Sequence, residues 1–285
     1  MDGTKKKITI GIIGGTGQIG QWFKNFFEKN NCHVLIASRR TKLKIEECAK
    51  KSDVVVISVP IHVTIDVIKK IAPLVKEDGL LMDLTSLKVE PIKAMLKYSK
   101  SAVIGAHPVF GPSVSTIKNQ TVILCPARPK KWLLWIKDIL EKNGALVRIT
   151  TPEKHDKMMS IIQGVTHFST ICIAHTLKKL GIDVKESLHY TSPIYKLRMD
   201  MVGRLLNQDP ILYADIEMLN PYNKKAIEEY IKSTRELIGI IKRKNRSEFI
   251  KFFNEGSDFL GDFKQEATEY SDYIIEQLVK KGKLK

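Results

Sequence analysis

The chain has too few cysteines to be a disulfide scaffold. Its four (Cys32, Cys48, Cys125, Cys172) stand far apart, and no two make a Cys-x-x-Cys pair, which also removes the usual zinc spacing. No apolar run approaches the ~18 residues of a membrane span. No apolar leader precedes the first strand, so a cytoplasmic protein is expected. Acidic residues are scarce beside basic ones, 31 against 47, giving a formal charge of +16. That excess suits either nucleic acid or small anionic ligands. The basic residues are spread along the chain. The densest runs, Lys5-Lys6-Lys7, Lys130-Lys131 and Lys242-Arg243-Lys244, are short, and no zinc-finger, basic-zipper or RNA-recognition signature accompanies them. Small anions are therefore the expected partners, with neither nucleic acid nor membrane. Apolar residues are not lacking: 43% of 285 residues is enough for one large domain or two ordinary ones.

Glycine is used sparingly and in a telling place. An apolar run from Ile8 to Ile13 reads as a buried parallel strand. It enters Gly14-Gly15-Thr16-Gly17-Gln18-Ile19-Gly20, and a helix with Trp22, Phe23, Phe26 and Phe27 follows. Gly15, Gly17 and Gly20 make G-x-G-x-x-G between a strand and a helix, the context that gives this fingerprint meaning. The first glycine permits the turn, the second lets a pyrophosphate approach, and the third lets helix pack on strand. Thr16, Gln18 and Ile19 belong to the same loop, whose helix N-terminus offers N–H groups to phosphate. The second strand, His33 to Ala37, ends in Ser38-Arg39-Arg40 with no carboxylate. An acid there bonds the ribose hydroxyl of NAD. A serine and arginines suit a 2′-phosphate instead, so NADP is expected, with NAD as the alternative.

Strands and helices continue to alternate up to a strand at Ala145 to Ile149. This predicts an α/β fold, a Rossmann-type doubly wound parallel sheet over residues 1–150. Pro60, Ser86 and His107 all follow strands, at the end where such sheets bind ligands. The loop Gly105-Ala106-His107-Pro108-Val109-Phe110-Gly111-Pro112 holds one titratable side chain among prolines and glycines. Alone it reads as a structural turn; at a strand end it can aim a base.

After Thr150 no strand signal survives, and an all-helical domain is expected over 151–285. Thr151-Pro152-Glu153 starts a helix that could run unbroken to about Lys179. Its middle is apolar nearly all round, which predicts a helix shared with another domain or subunit and hence a homodimer.

Together these segments resemble prephenate dehydrogenase, above all the dehydrogenase part of the bacterial enzyme fused to chorismate mutase. The resemblance rests on the glycine loop, Val59-Pro60-Ile61-His62-Val63-Thr64, Asp83-Leu84-Thr85-Ser86-Leu87-Lys88, the His107 loop, His155-Asp156, Ser192-Pro193-Ile194-Tyr195, and Met201-Val202-Gly203-Arg204-Leu205 with Tyr213-Ala214-Asp215-Ile216. It implies oxidative decarboxylation of prephenate to 4-hydroxyphenylpyruvate, toward tyrosine, by a monofunctional enzyme, with arogenate as an alternative substrate. It further implies His107 as the catalytic base, Ser86 and Lys88 beside it, and Arg204 and His155 at the substrate. Arg204 is expected on an inward-packing helix face, since Met201, Val202, Leu205 and Leu206 surround it. Lys196 stands where bacterial relatives carry arginine, and Ser38 where they carry an acid. The Ser38-Arg39-Arg40 run is similar to deazaflavin-dependent NADP reductases, an alternative that accounts for the first 41 residues only.

Overall fold

A computed structural model of the chain describes residues 7–280; Lys5 and Lys6 of the first basic run lie outside them. The apolar runs form seven strands: β1 (Thr9–Ile13), β2 (His33–Ala37), β3 (Val54–Ile57), β4 (Leu80–Asp83), β5 (Ala102–Pro108), β6 (Thr121–Arg128) and β7 (Leu146–Ile149). They make one sheet in the order β2-β1-β3-β4-β5-β6-β7. The chain reverses direction across the sheet between β1 and β3, and the crevice at that switch point is where doubly wound folds hold dinucleotides.

One strand departs from the all-parallel expectation. β6 runs antiparallel to β5, with His107 opposite Ile123. Residues 109–120 join the two strands without a helix, and a parallel partner would need a crossover. An apolar run carries no direction, so the sequence left this open. β7 is parallel to β6 again, because α5 (Trp132–Lys142) crosses between them.

Helices cover both faces of the sheet. α1 (Gln18–Lys29) and α5 bury Phe23, Phe26, Phe27, Trp132, Ile136 and Leu140 against Ile10, Ile12, Val54 and Val56. On the other face, α2 (Ile45–Lys51), α3 (Ile61–Ile71) and α4 (Val89–Tyr98) bury Cys48, Ile68, Ile71 and Met95 against Ile13, Val55, Ile57 and Leu81. Each large apolar side chain so buried contributes about 1.5–3 kcal/mol. Both faces are covered, which is why the strands read as continuous apolar runs and not as alternating ones.

The sheet packs together with residues that follow β7 in the chain. Residues through 160, together with 214–221, form one compact unit. Helix α6 (Pro152–Met159) belongs to it. The Thr151 hydroxyl accepts from Lys154 N at 3.2 Å to start α6, and His155, Asp156 and Met159 are all buried.

The second unit spans 161–213 and 222 onward and is helical among the described residues: α7 (Thr166–Lys179), α8 (Val184–Ser187), α9 (Pro193–Leu206), α10 (Pro210–Leu219, of which only the first four residues belong here), α11 (Asn223–Arg243), α12 (Arg246–Leu260) and α13 (Phe263–Lys280). The long helix read from 151 to 179 is interrupted. Residues Ser160–Val165 form a π-turn between α6 and α7. Such turns insert an extra residue and are common at functional sites. Its apolar residues are also not buried within one chain: Ile161 is 54% exposed and Ile162 47%.

Candidate active site

The glycine loop fits a nucleotide cofactor on steric grounds. A Cβ built at Gly20 would lie 2.7 Å from Gly15 Cα, and one at Gly15 would lie 2.6 Å from a methyl of Ile36. Both positions must stay bare for α1 to pack on β1 and β2. Gly17 is different: its nearest neighbour would be Gly14 O at 3.4 Å, and it faces solvent with Thr16 and Gln18. Its missing side chain therefore opens the surface to a ligand. Gly17 is also the N-cap of α1, which has no side-chain cap and no acid in its first turn, so the N–H groups there are available to an anion. Ile19 is half-buried and helps anchor the helix. Gly14 has φ +85° and abuts the Ser58 carbonyl, bringing the loop beside the end of β3 and Pro60, the exposed N-cap of α3. At the end of β2, Ser38 Oγ accepts from Arg40 N at 3.1 Å and Thr41 Oγ1 accepts from Ser38 N at 2.8 Å. This local turn leaves Arg39 and Arg40 exposed.

His107 lies at the same edge of the sheet, three strands away along parallel neighbours, or about 14 Å at ~4.8 Å per strand. It is only 3% exposed. Its Nδ1 is 2.9 Å from His155 Nε2. His155 Nδ1 is in turn 2.7 Å from Asp156 Oδ1. Asp156 is anchored by two backbone donors, Lys88 N to Oδ1 at 2.8 Å and Val89 N to Oδ2 at 2.9 Å. The same carboxylate thus caps α4, whose own N-cap residue Lys88 offers no side-chain cap. Asn220 Nδ2 donates to the Asp156 carbonyl at 2.8 Å.

The tautomers follow from this chain. An ionised carboxylate only accepts, so His155 carries its proton on Nδ1. Its Nε2 lone pair then accepts from His107 Nδ1–H. That leaves the His107 Nε2 lone pair bare, with no hydrogen bond to it from any described residue. Burial is the first reason that His107 stays neutral, followed by repulsion from His155 and from Lys88, and together these hold it well below the ordinary imidazole range. His155 is also lowered, chiefly by burial, with the Asp156 bond opposing.

Two expected residues sit differently from the reading above. Lys88 is not at the ligand surface: it is 0% exposed, and its ammonium contacts Asp83 Oδ2 and donates to Ala106 O at 2.8 Å. Its side chain is enclosed by protein on all sides. A charged residue reaches the core only with a partner, and Asp83, five residues earlier, supplies one across the turn. Ser86 is half-buried and makes no hydrogen bond to His107 or to any other described residue. The sequence reading assigns roles to His155 and Lys88 but none to Asp156 and Asp83. An acid directly after His155, just past the first turn of α6, was the available signal. A second contact was also missed: Asp215 Oδ2 accepts from His62 N at 3.2 Å and lies 2.7 Å from His62 Nδ1, tying residues 214–221 to the start of α3.

In the helical unit, Arg204 is exposed in the single chain, contrary to the inward-packing expectation. α9 buries Met199 and Val202, and at about 100° per residue Arg204 falls roughly 160–200° round from Val202 and 140° from Met199. Its charge is felt at Tyr213, whose hydroxyl burial pushes up and Arg204 pulls down. Tyr213 meets His167 edge-to-face at 4.8 Å.

Known proteins agree with this architecture. The model of the prephenate dehydrogenase nucleotide-binding domain matches residues 29–149, and that of the prephenate dehydrogenase dimerization domain matches 151–255. The second match covers residues for which a resemblance confined to the first 41 cannot account. A Methanocaldococcus jannaschii protein named "Probable arogenate/prephenate dehydrogenase" is 41% identical over 94% of the chain and 64% of its own length. The chain thus spans under two thirds of that relative. The "T-protein" of Haemophilus influenzae is 34% identical over 94% of the chain and 71% of its own length. A crystal structure of prephenate dehydrogenase from A. aeolicus, in complex with hydroxyphenyl propionate and NAD+, superposes with a TM-score of 0.73 at 21% identity, covering 89% of this chain and 97% of that one; it shares the fold. With a bare histidine nitrogen and a glycine cradle at one sheet edge, and both domain models in order along the sequence, the chain belongs to the prephenate dehydrogenase family.

Proposed function

We propose that the protein oxidatively decarboxylates prephenate with NADP, and that the Asp156–His155–His107 relay carries the chemistry. The bare His107 Nε2 at the ligand edge of the sheet is the observation behind this reading. A bound nicotinamide would supply the hydride acceptor for oxidation of the ring carbinol carbon. His107 Nε2 takes the hydroxyl proton as that carbon is oxidised. The bond to the ring carboxylate breaks, carbon dioxide leaves, and its electron pair restores the aromatic ring. His107 returns the proton to the phenolic oxygen, so the product keeps its hydroxyl. His155 accepts the hydrogen bond of the transient imidazolium, and Asp156 faces that charge through it. Burial holds the ring neutral at neutral pH, so its Nε2 lone pair is free to take the proton and to give it back.

Prephenate carries two carboxylates, and Arg204 is the proposed partner for one of them. Arogenate differs by an ammonium in place of the keto group, and the relay serves both. Gly15, Thr16, Gly17, Gln18, Ile19 and Gly20 would hold the pyrophosphate, Pro60 would border the nicotinamide side, and Ser38, Arg39 and Arg40 would meet the 2′-phosphate. A comparison of prephenate and arogenate, each with NADP and NAD, tests the reading. Prephenate with NADP should yield reduced cofactor and 4-hydroxyphenylpyruvate fastest; no product from any of the four pairs would refute it. In the same assay Arg39→Ala should raise KM for NADP about tenfold, the loss of one exposed charge-assisted contact of ~1.4 kcal/mol. KM for NAD should stay within about twofold.

Two copies are proposed to pair through the helical domain. The description of the model matching 151–255 as a dimerization domain supports this, as do the exposed Ile161 and Ile162. Light scattering should give twice the 32.4 kDa chain mass; a monomer at micromolar concentration would count against pairing.

A further inference from the structure

The relay accounts for Asp156, His155 and His107. It does not account for the most costly feature nearby, an ion pair with both side chains at 0% exposure behind β5. Lys88 Nζ contacts Asp83 Oδ2 and donates to the carbonyl of Ala106, the residue before His107. Asp83 Oδ2 also accepts from Thr85 N at 3.0 Å and from Thr85 Oγ1 at 2.5 Å. Asp83 Oδ1 is buried with no partner among the described residues.

A pair of this kind is a poor device for stability. Desolvating both ions costs several kcal/mol each, and apolar side chains of similar volume often serve as well or better. One carboxylate oxygen left unpaired makes the balance worse. The fold nevertheless makes room for it. A Cβ at Gly105 would lie 2.9 Å from Lys88 Cδ and 2.7 Å from Ile92 Cδ1. The strand therefore lacks a side chain two residues before His107, where the lysine stem passes. The same residue, through its backbone N–H, anchors the far end of the relay at Asp156. Lys88 is thus fixed at both ends, with its charge held against the strand that carries the base.

We infer that Lys88 is a positioning residue whose buried ammonium, set in place by Asp83 and the bare Gly105, fixes the charge of His107 from behind β5. The inference rests on the reading of His107 as the base. A cation that water cannot screen disfavours a second positive charge nearby. His107 then stays a free base down to a lower pH than burial alone would allow. The direction of its shift agrees, with Lys88 contributing after burial and His155. The other groups facing this site are few. His155, Asp156 and Glu153 come from α6, Asp83 from β4, and Cys125 from β6. Burial pushes the Cys125 thiol up to about 12, so it adds no charge at neutral pH.

The test uses Lys88→Met, which keeps the stem and removes the charge. Should that variant not fold, the double change Asp83→Asn with Lys88→Met removes both charges together. Two readouts are needed: the titration of the His107 ring by NMR, which requires no substrate, and the pH profile of kcat/KM for prephenate. Both the ring titration and the acid limb of the profile should move up by about one pH unit. On that limb the variant should lie about tenfold further below its own plateau than wild type does. A purely structural lysine would lower the plateau and leave the limb in place. An unmoved titration and limb in whichever variant folds would overturn the inference. A shifted ring titration in a protein that turns over neither prephenate nor arogenate would leave the electrostatic role standing and remove the dehydrogenase reading.

Discussion

His107→Asn should lower kcat for prephenate about 10³-fold while leaving KM within about threefold. A positioned general base is worth 10²–10⁴, and this one is held by geometry that asparagine preserves. The amide can still donate to His155 Nε2, so the relay behind it keeps its partner. What is lost is the basic lone pair of Nε2, because an amide oxygen does not accept a full proton near neutral pH. The pH profile separates this from general damage. In wild type, activity should fall as His107 becomes protonated, at a pH well below the ordinary imidazole range; the residual activity of the variant should lack that limb. Stability has a matching sign. Both His107 and His155 are lowered by burial in the folded state, so the unfolded chain binds protons that the folded one refuses. The stability they permit is fully present above about pH 6.5 and is lost as pH falls from there toward the folded values. Urea midpoints between about pH 8 and pH 5 should fall less steeply in His107→Asn than in wild type. A variant retaining more than about a tenth of wild-type kcat would exclude His107 as the base.

What could be read in the chain divides along physical lines. Strands β1 to β5 were legible because two-sided burial demands unbroken apolar runs, and Gly15, Gly17 and Gly20 were legible because their spacing encodes steric needs. Neither signal carries strand direction, so the reversal of β6 appears only in the pairing of His107 with Ile123. Lys88 was legible as a site residue but not as a buried one. Its burial depends on Asp83 and on the space left at Gly105, both brought near by the turn after β4 and the pairing of β4 with β5. Asp156 went unassigned for a similar reason. Its meaning comes from Lys88 N and Val89 N, 68 and 67 residues earlier. Arg204 shows the opposite error: apolar neighbours on both sides suggested an inward face, whereas helical phase sets it apart from the buried Met199 and Val202. The π-turn at Ser160–Val165 has no sequence signature that separates it from a continued helix.

Asp156→Asn should cost both activity and stability, through two separable routes. Asp156 Oδ1 accepts from Lys88 N and lies against His155 Nδ1, while Oδ2 accepts from Val89 N. An amide has one acceptor oxygen, so one side must now meet a donor with a donor. With the oxygen toward His155, Val89 N loses its partner at the start of α4, a cost of about 1–3 kcal/mol for a buried amide. With the oxygen toward Val89, the NH₂ faces His155 Nδ1 and drives its proton to Nε2. His155 then donates to His107 Nδ1, the His107 proton moves to Nε2, and the base presents a proton where it needs a lone pair. Either way the imidazolium formed in the reaction loses the negative charge behind it. The comparable loss of an orienting carboxylate elsewhere costs up to about 10⁴ in rate; here a fall of about 10²–10³ in kcat is expected, since one more ring stands between the carboxylate and the base. The urea midpoint separates the stability cost, and ring nitrogen shifts report the tautomers. The decisive measurement is the double variant. If Asp156 acts through His107, adding Asp156→Asn to His107→Asn should lower kcat by less than about threefold further, because members of one relay are not additive. Full additivity of the two losses would show that Asp156 serves the fold of α4 and not the base.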